Sequence, residues 1–106
     1  MLTESNLPQL LTNLGFEKKA NVYRKFFETA LLEVNFDQRT ISYPEANGLL
    51  VNERQTCNFE ANENFVVLEC VHRLLEKGYK PQHIELEPKW KLGRGASGGR
   101  ADVLIK

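Results

Sequence analysis

The sequence predicts an α+β fold in which a short helix and a small β-meander precede a longer helix and two further strands. Three observations carry this prediction. Leucines recur at helical spacing in residues 7–14, apolar residues alternate with polar ones in residues 29–36, and an amphipathic stretch at 62–77 precedes a second alternating segment. We expect a single α+β unit with residues 1–61 forming the first part and residues 62–106 the second.

The composition is that of a small folded domain, or of a piece of one. The chain has 106 residues, of which 42% are hydrophobic and 26% charged, so it can bury a modest core. No apolar run approaches the roughly 18 residues that a membrane span requires, and the N-terminus lacks the pattern of a secretory signal. Cys57 and Cys70 are too few for a disulfide framework, so we expect reduced thiols in a cytoplasmic protein.

The net charge of zero hides an asymmetry along the chain. Residues 1–88 carry nine Lys and Arg against thirteen Asp and Glu, a net charge of −4, whereas residues 89–106 carry five cations against Asp102, a net charge of +4. A basic end on an acidic chain indicates a local anionic partner. The alternative is that these cations keep an exposed hairpin soluble.

The first helix is predicted from the spacing of four leucines. They fall at i, i+3, i+4 and i+7, on one helical face: Leu7, Leu10, Leu11 and Leu14. Thr3 or Ser5 is a candidate cap, Pro8 suits the first turn and Gly15 suits the stop. A helix this short is unstable alone, so its leucine face must pack on elements later in the chain.

A β-meander is predicted next. The segments rich in β-branched and aromatic residues are 21–27, 29–36 and 41–44, with a turn at 37–40, and 49–51 is a candidate for a further short strand. Leu32, Val34 and Phe36 point to one face of their strand, and Glu33 and Asn35 to the other. This alternation is typical of a half-buried strand.

The longer helix is the strongest element in the sequence. Asn62 is a candidate cap, Glu63 suits the positive helix start and Lys77 the negative end, and Gly78 and Pro81 end the helix. One face is apolar: Val67, Leu68, Cys70, Val71, Leu74 and Leu75. The opposite face, predicted to point outward, is polar: Glu69, His72, Arg73 and Glu76.

The polar face of that helix holds a possible metal site. Glu69 and His72 form an E-x-x-H pair, a geometry used by carboxylate-bridged metal centres, but such centres need similar pairs on neighbouring helices. The simpler interpretation is a solvated face on which Glu69 and Arg73 pair at i, i+4. His83 lacks a histidine partner at zinc-site spacing, which argues against structural zinc.

Residues 84–106 predict a hairpin. Apolar and polar residues alternate from 84 to 92, interrupted by Pro88, and a glycine-rich loop at 93–100 leads into a final strand. The loop lacks the spacing and the Lys-Ser/Thr ending of a phosphate-binding P-loop, and it precedes a strand rather than a helix. A hairpin tip carrying Arg94 and Arg100 could instead reach a nucleic-acid backbone.

These residues carry a resemblance to a known family. The segment "ENFVVLECVHRLLEKGYKPQHIELEPKWKLGRGASGGRADVLIK" resembles the start of the nuclease-type domain near the N-terminus of type I restriction-modification proteins. It is especially similar to a variant that precedes an N-6 adenine DNA methylase region. The pieces that carry the likeness are the helix, "GYKP", "IELE" and above all "GGRADVLIK", and residues 14–52 resemble the lead-in of that variant.

The resemblance implies a PD-(D/E)xK restriction-endonuclease-like core that cleaves double-stranded DNA with Mg²⁺. Asp102 matches the first acid of that pattern and is the expected catalytic and metal-binding residue. Glu69 is a candidate second metal ligand from the first core helix. Mg²⁺ prefers oxygen ligands and lowers the pKa of a bound water. The expected DNA phosphate contacts are Lys89, Lys91, Arg94 and Arg100.

The sequence departs from the family pattern after Asp102, because no E-x-K follows it. The triplet Glu87-Pro88-Lys89 lies upstream on the wrong strand, and we interpret it as coincidence. We therefore expect this chain to be the N-terminal piece of a larger endonuclease or methylase protein. Alone it should cut no DNA and hold no tightly bound cofactor. An unpaired strand at residues 101–105 should favour either a homodimer through strand pairing or exchange, or fraying of the chain after about Asp102.

Two other function classes remain open from the sequence. In the first, the basic residues touch DNA phosphates and no cleavage occurs. In the second, residues 1–60 form a docking surface for another restriction-modification subunit. Salt-dependent binding to random duplex DNA would favour the DNA-binding module, and a chain that held a partner subunit without DNA would favour the assembly module.

Overall fold

The computed structural model describes residues 2–28, 30–52, 54–87 and 103–105, and it confirms the mixed α+β class. Two helices and seven strands are assigned in these residues. The helices are α1 (Leu7–Asn13) and α2 (Glu63–Glu76), and the strands are β1 (Glu17–Lys19), β2 (Val22–Phe27), β3 (Ala30–Asn35), β4 (Thr40–Ser42), β5 (Leu50–Val51), β6 (Ile84–Leu86) and β7 (Val103–Ile105). Single 3₁₀ turns lie at Glu45–Asn47, Arg54–Cys57 and Pro81–His83.

Helix α1 forms where the leucine pattern predicts it. Leu7 and Leu11 are completely buried, and the first turn contains the expected proline. The capping residue is Asn6 rather than Thr3 or Ser5. Its side-chain Oδ1 accepts a hydrogen bond of 2.8 Å from the backbone N–H of Thr3. Gly15 follows the helix with φ of +92°, a left-handed conformation that glycine adopts without strain.

The first sheet is an antiparallel meander with strand order β1-β2-β3-β4 within the described residues. Tyr23 pairs with Val34, which in turn pairs with Ile41, so these three side chains share the face that packs on the core. All three are buried. Strands β2, β3 and β4 lie in the segments that the sequence predicts.

Strand β1 is not predicted by the sequence. It consists of Glu17, Lys18 and Lys19, whose composition is unfavourable for a strand, and all three are exposed. It forms because the tight turn at Ala20 and Asn21 folds it back onto β2, where it supplies a charged sheet edge.

The second sheet has strand order β5-β6-β7 within the described residues. Strand β5 runs parallel to β6, and β6 is antiparallel to β7, with Leu86 opposite both Val51 and Val103. A parallel pair needs a crossover connection, and α2 lies in that connection. The candidate strand at 49–51 thus exists, but the sequence does not predict its pairing with a strand beyond α2.

Both sheets and both helices contribute to one hydrophobic core. Completely buried side chains come from every part of the described chain: Leu7, Leu11, Leu32, Val34, Phe65, Leu68, Val71, Ile84 and Leu86. Residues before and after position 61 therefore pack in the same cluster, and α2 lies against β7 as well as against the Arg54–Cys57 turn.

The face of α2 differs from the prediction at His72. Its side chain is completely buried, although the sequence pattern places it on the outward polar face. The reason is that the rings of Phe16 and Phe27 pack on the imidazole, with ring centroids 5.7 and 5.4 Å away. Cys70, expected in the core, is only half-buried.

No helix within the described residues has the length and apolarity needed to cross a membrane.

Candidate functional site

Most of the residues that the sequence nominates for function lie outside the described residues. These are Asp102, Lys89, Lys91, Arg94 and Arg100. Glu69 is the nominated site residue that the structure describes. The arrangement of these groups around Asp102 therefore stays a prediction, and the structure informs it through the elements on either side.

Glu69 lies on the solvent side of α2, where it pairs with Arg73. The guanidinium Nη2 of Arg73 donates to Oε2 of Glu69 at 2.8 Å, and the side chain of Glu69 is 26% exposed. This hydrogen bond is the main reason that the pKa of Arg73 lies above its ordinary value. The predicted i, i+4 pair is confirmed, and it holds the carboxylate of Glu69 in an exposed ion pair that is easily exchanged for another cation.

A buried acidic residue, Glu87, lies immediately after the end of β6. Glu87 follows Leu86 and is only 8% exposed, and its φ of +51° is left-handed. Leu86 lies opposite Val103, the residue after Asp102 in the sequence. The alternation Ile84-Glu85-Leu86 predicts that Glu87 points outward like Glu85, but the left-handed backbone breaks that alternation and the side chain is buried.

The chain contains a second E-x-K triplet, which the sequence analysis does not consider. Glu17-Lys18-Lys19 matches this pattern and forms the whole of β1, with all three residues exposed. It lies upstream of Asp102, as Glu87-Pro88-Lys89 does, and it belongs to the other sheet. The triplet is present in the sequence itself.

A partly buried polar cluster joins the C-terminal end of α1 to β2 and α2. Nζ of Lys25 donates to the carbonyl oxygen of Leu14 at 2.6 Å and lies 2.9 Å from Nε2 of His72. Oε2 of Glu76 lies 3.6 Å from the same ammonium. We call these four groups the Lys25 cluster.

The geometry of the Lys25 cluster determines which ring nitrogen of His72 carries the proton. An ammonium has three N–H donors and no acceptor, and three acceptors surround Nζ. Nε2 of His72 therefore accepts, which places the imidazole proton on Nδ1. Burial lowers the pKa of His72, and the charge of Lys25 lowers it further, against a smaller opposing effect of Glu76. His72 is thus a neutral imidazole.

These contacts argue against the E-x-x-H metal interpretation. The ring nitrogen Nε2 of His72 faces an ammonium rather than a space for a cation, and the carboxylate of Glu69 is paired with Arg73. Within the described residues, no group of three or more His, Cys, Asp or Glu side chains is arranged to hold a metal ion.

Tyr43 carries a second unusual polar group. Its side chain is 5% exposed, and its hydroxyl has no hydrogen-bond partner among the described residues. Burial raises the pKa of Tyr43 well above its ordinary value, with smaller contributions from Cys57 and Cys70. Burial likewise raises the pKa of the Cys57 thiol, so Cys57 is a weak nucleophile at neutral pH.

An open cleft of about 360 Å³ lies between the β2–β3 turn and the C-terminal end of α2. We call it the Tyr79 cleft. Its walls are formed by Phe27 and Glu28, by Asn47, and by residues Leu75 and 78–82. Tyr79 is 42% exposed there. The sequence offers no signal for this cleft, because its residues come from three separate segments.

Comparison with known proteins identifies no relative: no protein-family model, curated protein or solved structure matches this chain.

Proposed function

We propose that this chain is the N-terminal part of a cytoplasmic DNA restriction-modification protein and contributes the first acid-bearing strand of a nuclease-type domain. In the complete protein that domain cleaves double-stranded DNA with Mg²⁺. The 106 residues alone bind DNA phosphates but do not cut.

The observation that carries this proposal is the order of elements around β7. Helix α2 leads through β6 into β7, the two strands are antiparallel, α2 packs on β7, and Asp102 immediately precedes Val103 in the sequence. A helix followed by an antiparallel strand pair, with an acid at the start of the second strand, is the arrangement that the proposed nuclease core requires. Strand β5 adds a parallel neighbour to this pair.

The proposed roles follow from the chemistry of the side chains. Asp102 supplies the main carboxylate for Mg²⁺, a hard cation that takes oxygen ligands. Glu69 is the candidate second ligand, since it can release Arg73, an exposed ion-pair partner. The E-x-K segment that completes such a site is contributed by further polypeptide. Mg²⁺ supplies an activated water and stabilises charge on the phosphate.

The charge of the sequence supports DNA as the partner. Lys89, Lys91, Arg94 and Arg100 fall within twelve consecutive residues that also precede the proposed acid. Cations of this kind neutralise phosphates irrespective of base sequence, and each contributes to the salt dependence of binding.

The test is a comparison between the 106-residue chain and the natural protein extended beyond residue 106. The extended protein should nick supercoiled plasmid with Mg²⁺ and not with EDTA, and Asp102→Ala should abolish nicking. Asp37→Ala serves as the matched control, because Asp37 lies in the β3–β4 turn. There its Oδ1 accepts a hydrogen bond of 2.8 Å from Nδ2 of Asn21.

Three results would contradict the proposal. One is full cleavage by the Asp102→Ala protein. Another is a natural gene that contains no E-x-K strand after codon 106 and encodes no partner that supplies one. The third is duplex DNA binding that does not weaken with salt. Salt-dependent binding with no cleavage in the extended protein would instead support a non-catalytic DNA-binding module.

A further inference from the structure

The described lining of the Tyr79 cleft does not include Glu69, and its walls combine two aromatic rings, two amides and charges of both signs. We propose that it binds one unpaired nucleotide whose base carries an exocyclic amino group: adenine, cytosine or guanine. This goes beyond the proposed cleavage of duplex DNA and does not depend on it.

The size of the cleft sets the class of ligand. About 360 Å³ is at the lower end of the volumes of small-molecule sites, enough for one nucleotide and too small for a base pair with its two backbones. A base in a continuous duplex is inaccessible to such a cleft. The ligand is therefore a mononucleotide or an unpaired base in a strand, which share the same chemistry.

Tyr79 provides the stacking surface. Its ring remains 42% exposed although Phe27, Leu75 and Pro81 line the cleft beside it. The left-handed Gly78, with φ of +102°, ends α2 and turns the chain into this position. An exposed aromatic ring beside apolar walls is a platform on which any base can stack, because every base has a π face.

Two primary amides provide hydrogen bonding to a base edge. Asn47 and Gln82 both line the cleft, and each amide has donors and an acceptor. Gly48, the residue after Asn47, packs closely on Gln82, because a Cβ added to Gly48 would lie 2.9 Å from Cβ of Gln82. Two amides in one cleft suit base recognition, as Asn and Gln do with adenine.

The two charged residues of the cleft set the preference among bases. Lys80 is an exposed cation suited to the phosphate of the nucleotide, and Glu28 is an exposed acid. A carboxylate accepts from the exocyclic amino group of such a base, whereas the N3–H of an unpaired thymine lies between two carbonyl oxygens that repel the carboxylate. This predicts dA or dC in preference to dT.

The experiment measures fluorescence anisotropy of labelled dA8, dC8 and dT8 with the 106-residue chain. We expect saturable binding of dA8 or dC8 at least about tenfold tighter than dT8, and loss of about tenfold in affinity on Tyr79→Ala but not on Tyr79→Phe. Asn47→Ala should also lower the affinity for dA8 or dC8. Circular dichroism verifies that each variant is folded.

Phe26→Ala is the matched control, because Phe26 is the most exposed aromatic side chain of the described residues, at 63%, and does not line the cleft. The affinity of the Phe26→Ala protein for dA8 and dC8 should equal that of the parent chain. Competition by dAMP or dCMP at micromolar concentration identifies the free mononucleotide as the ligand, and competition only by oligonucleotides identifies the strand.

The proposal is overturned if no oligonucleotide binds, if dT8 binds as well as dA8 and dC8, or if Tyr79→Ala and Phe26→Ala behave alike. Since this assay needs no Mg²⁺ and no cleavage, failure of the nuclease proposal leaves its outcome interpretable. Conversely, the variants Lys89→Gln and Arg94→Gln test the proposed duplex contacts.

Discussion

Nζ of Lys25 lies 2.9 Å from Nε2 of His72, which joins β2 to α2 through two side chains that are 47 positions apart in the sequence. The imidazole is completely buried between two phenylalanine rings. A neutral histidine is therefore built into the core as a hydrogen-bond acceptor for an ammonium. This relationship makes the stability of the fold sensitive to pH.

The first prediction is that the protein loses stability as the pH falls below the ordinary His pKa of 6.5. Because the folded-state pKa of His72 is lowered, the unfolded state binds more protons in the range between the folded pKa and 6.5, so stability rises with pH across that range. Urea unfolding at pH 7.5 and at pH 5 measures the difference. Lys25, Glu76 and Arg73 are the charged groups that act on this imidazole.

A substitution isolates the contribution of His72. In His72→Phe the difference in unfolding free energy between pH 7.5 and pH 5 should shrink, whereas in His83→Gln it should stay as in the parent chain, because His83 lies exposed in the 3₁₀ turn before β6. An undiminished pH dependence in His72→Phe would contradict the neutral-imidazole assignment.

The second prediction concerns the ammonium itself. Lys25→Met keeps the aliphatic stem but leaves the carbonyl of Leu14 and the imidazole of His72 without their donor. We expect a loss of about 1–3 kcal/mol in unfolding free energy, measured by urea titration. Lys19→Met, on the exposed strand β1, is the matched control and should change stability by less than about 0.5 kcal/mol. Equal effects would show that the cluster contributes nothing.

The third prediction is that Tyr43→Phe stabilises the fold. The hydroxyl of Tyr43 is buried and has no partner among the described residues, so its removal recovers a desolvation cost of about 1 kcal/mol. The thermal midpoint should rise, while Tyr79→Phe at an exposed position should leave it unchanged. A lower midpoint for Tyr43→Phe would show that the hydroxyl is bonded in solution.

The fourth prediction compares two left-handed glycines. Gly48 and Gly78 have φ of +106° and +102°, but a Cβ at Gly48 would lie 2.9 Å from Cβ of Gln82, whereas nothing lies within 4 Å of one at Gly78. Gly78→Ala should cost about 1–2 kcal/mol from backbone strain alone. Gly48→Ala should cost more, because the two 3₁₀ turns must also move apart. Equal losses in urea titrations would contradict that close packing.

Local patterns are enough to predict most of the elements. The leucine spacing locates α1, β-branched and aromatic content locates β2, alternation locates β3, β4 and β6, and the amphipathic stretch with Gly78 locates α2. The pair Glu69–Arg73 is also predictable, because i, i+4 neighbours on a helix are set by local geometry. Asp102 and its four neighbouring cations remain nominated by the sequence and its resemblance.

Long-range contacts account for the features that local patterns miss. The helical pattern predicts that His72 lies on the polar face of α2 and points toward solvent. In the structure, two phenylalanine rings and Lys25, all from other elements, enclose its side chain. The pairing of β5 with β6 depends on the crossover through α2, and the buried position of Glu87 depends on a left-handed backbone that no period-two pattern anticipates.

The sequence by itself determined the fold class and the positions of the main helix and strands, and it nominates the residues of the proposed nuclease strand. Only the tertiary structure decided the neutral state of His72, the unpartnered hydroxyl of Tyr43 within the described residues and the existence of the Tyr79 cleft. The physical reason is that periodicity reports which side of an element is apolar, whereas burial of a polar group and the shape of a cleft depend on segments that are distant in the chain and meet only when it folds.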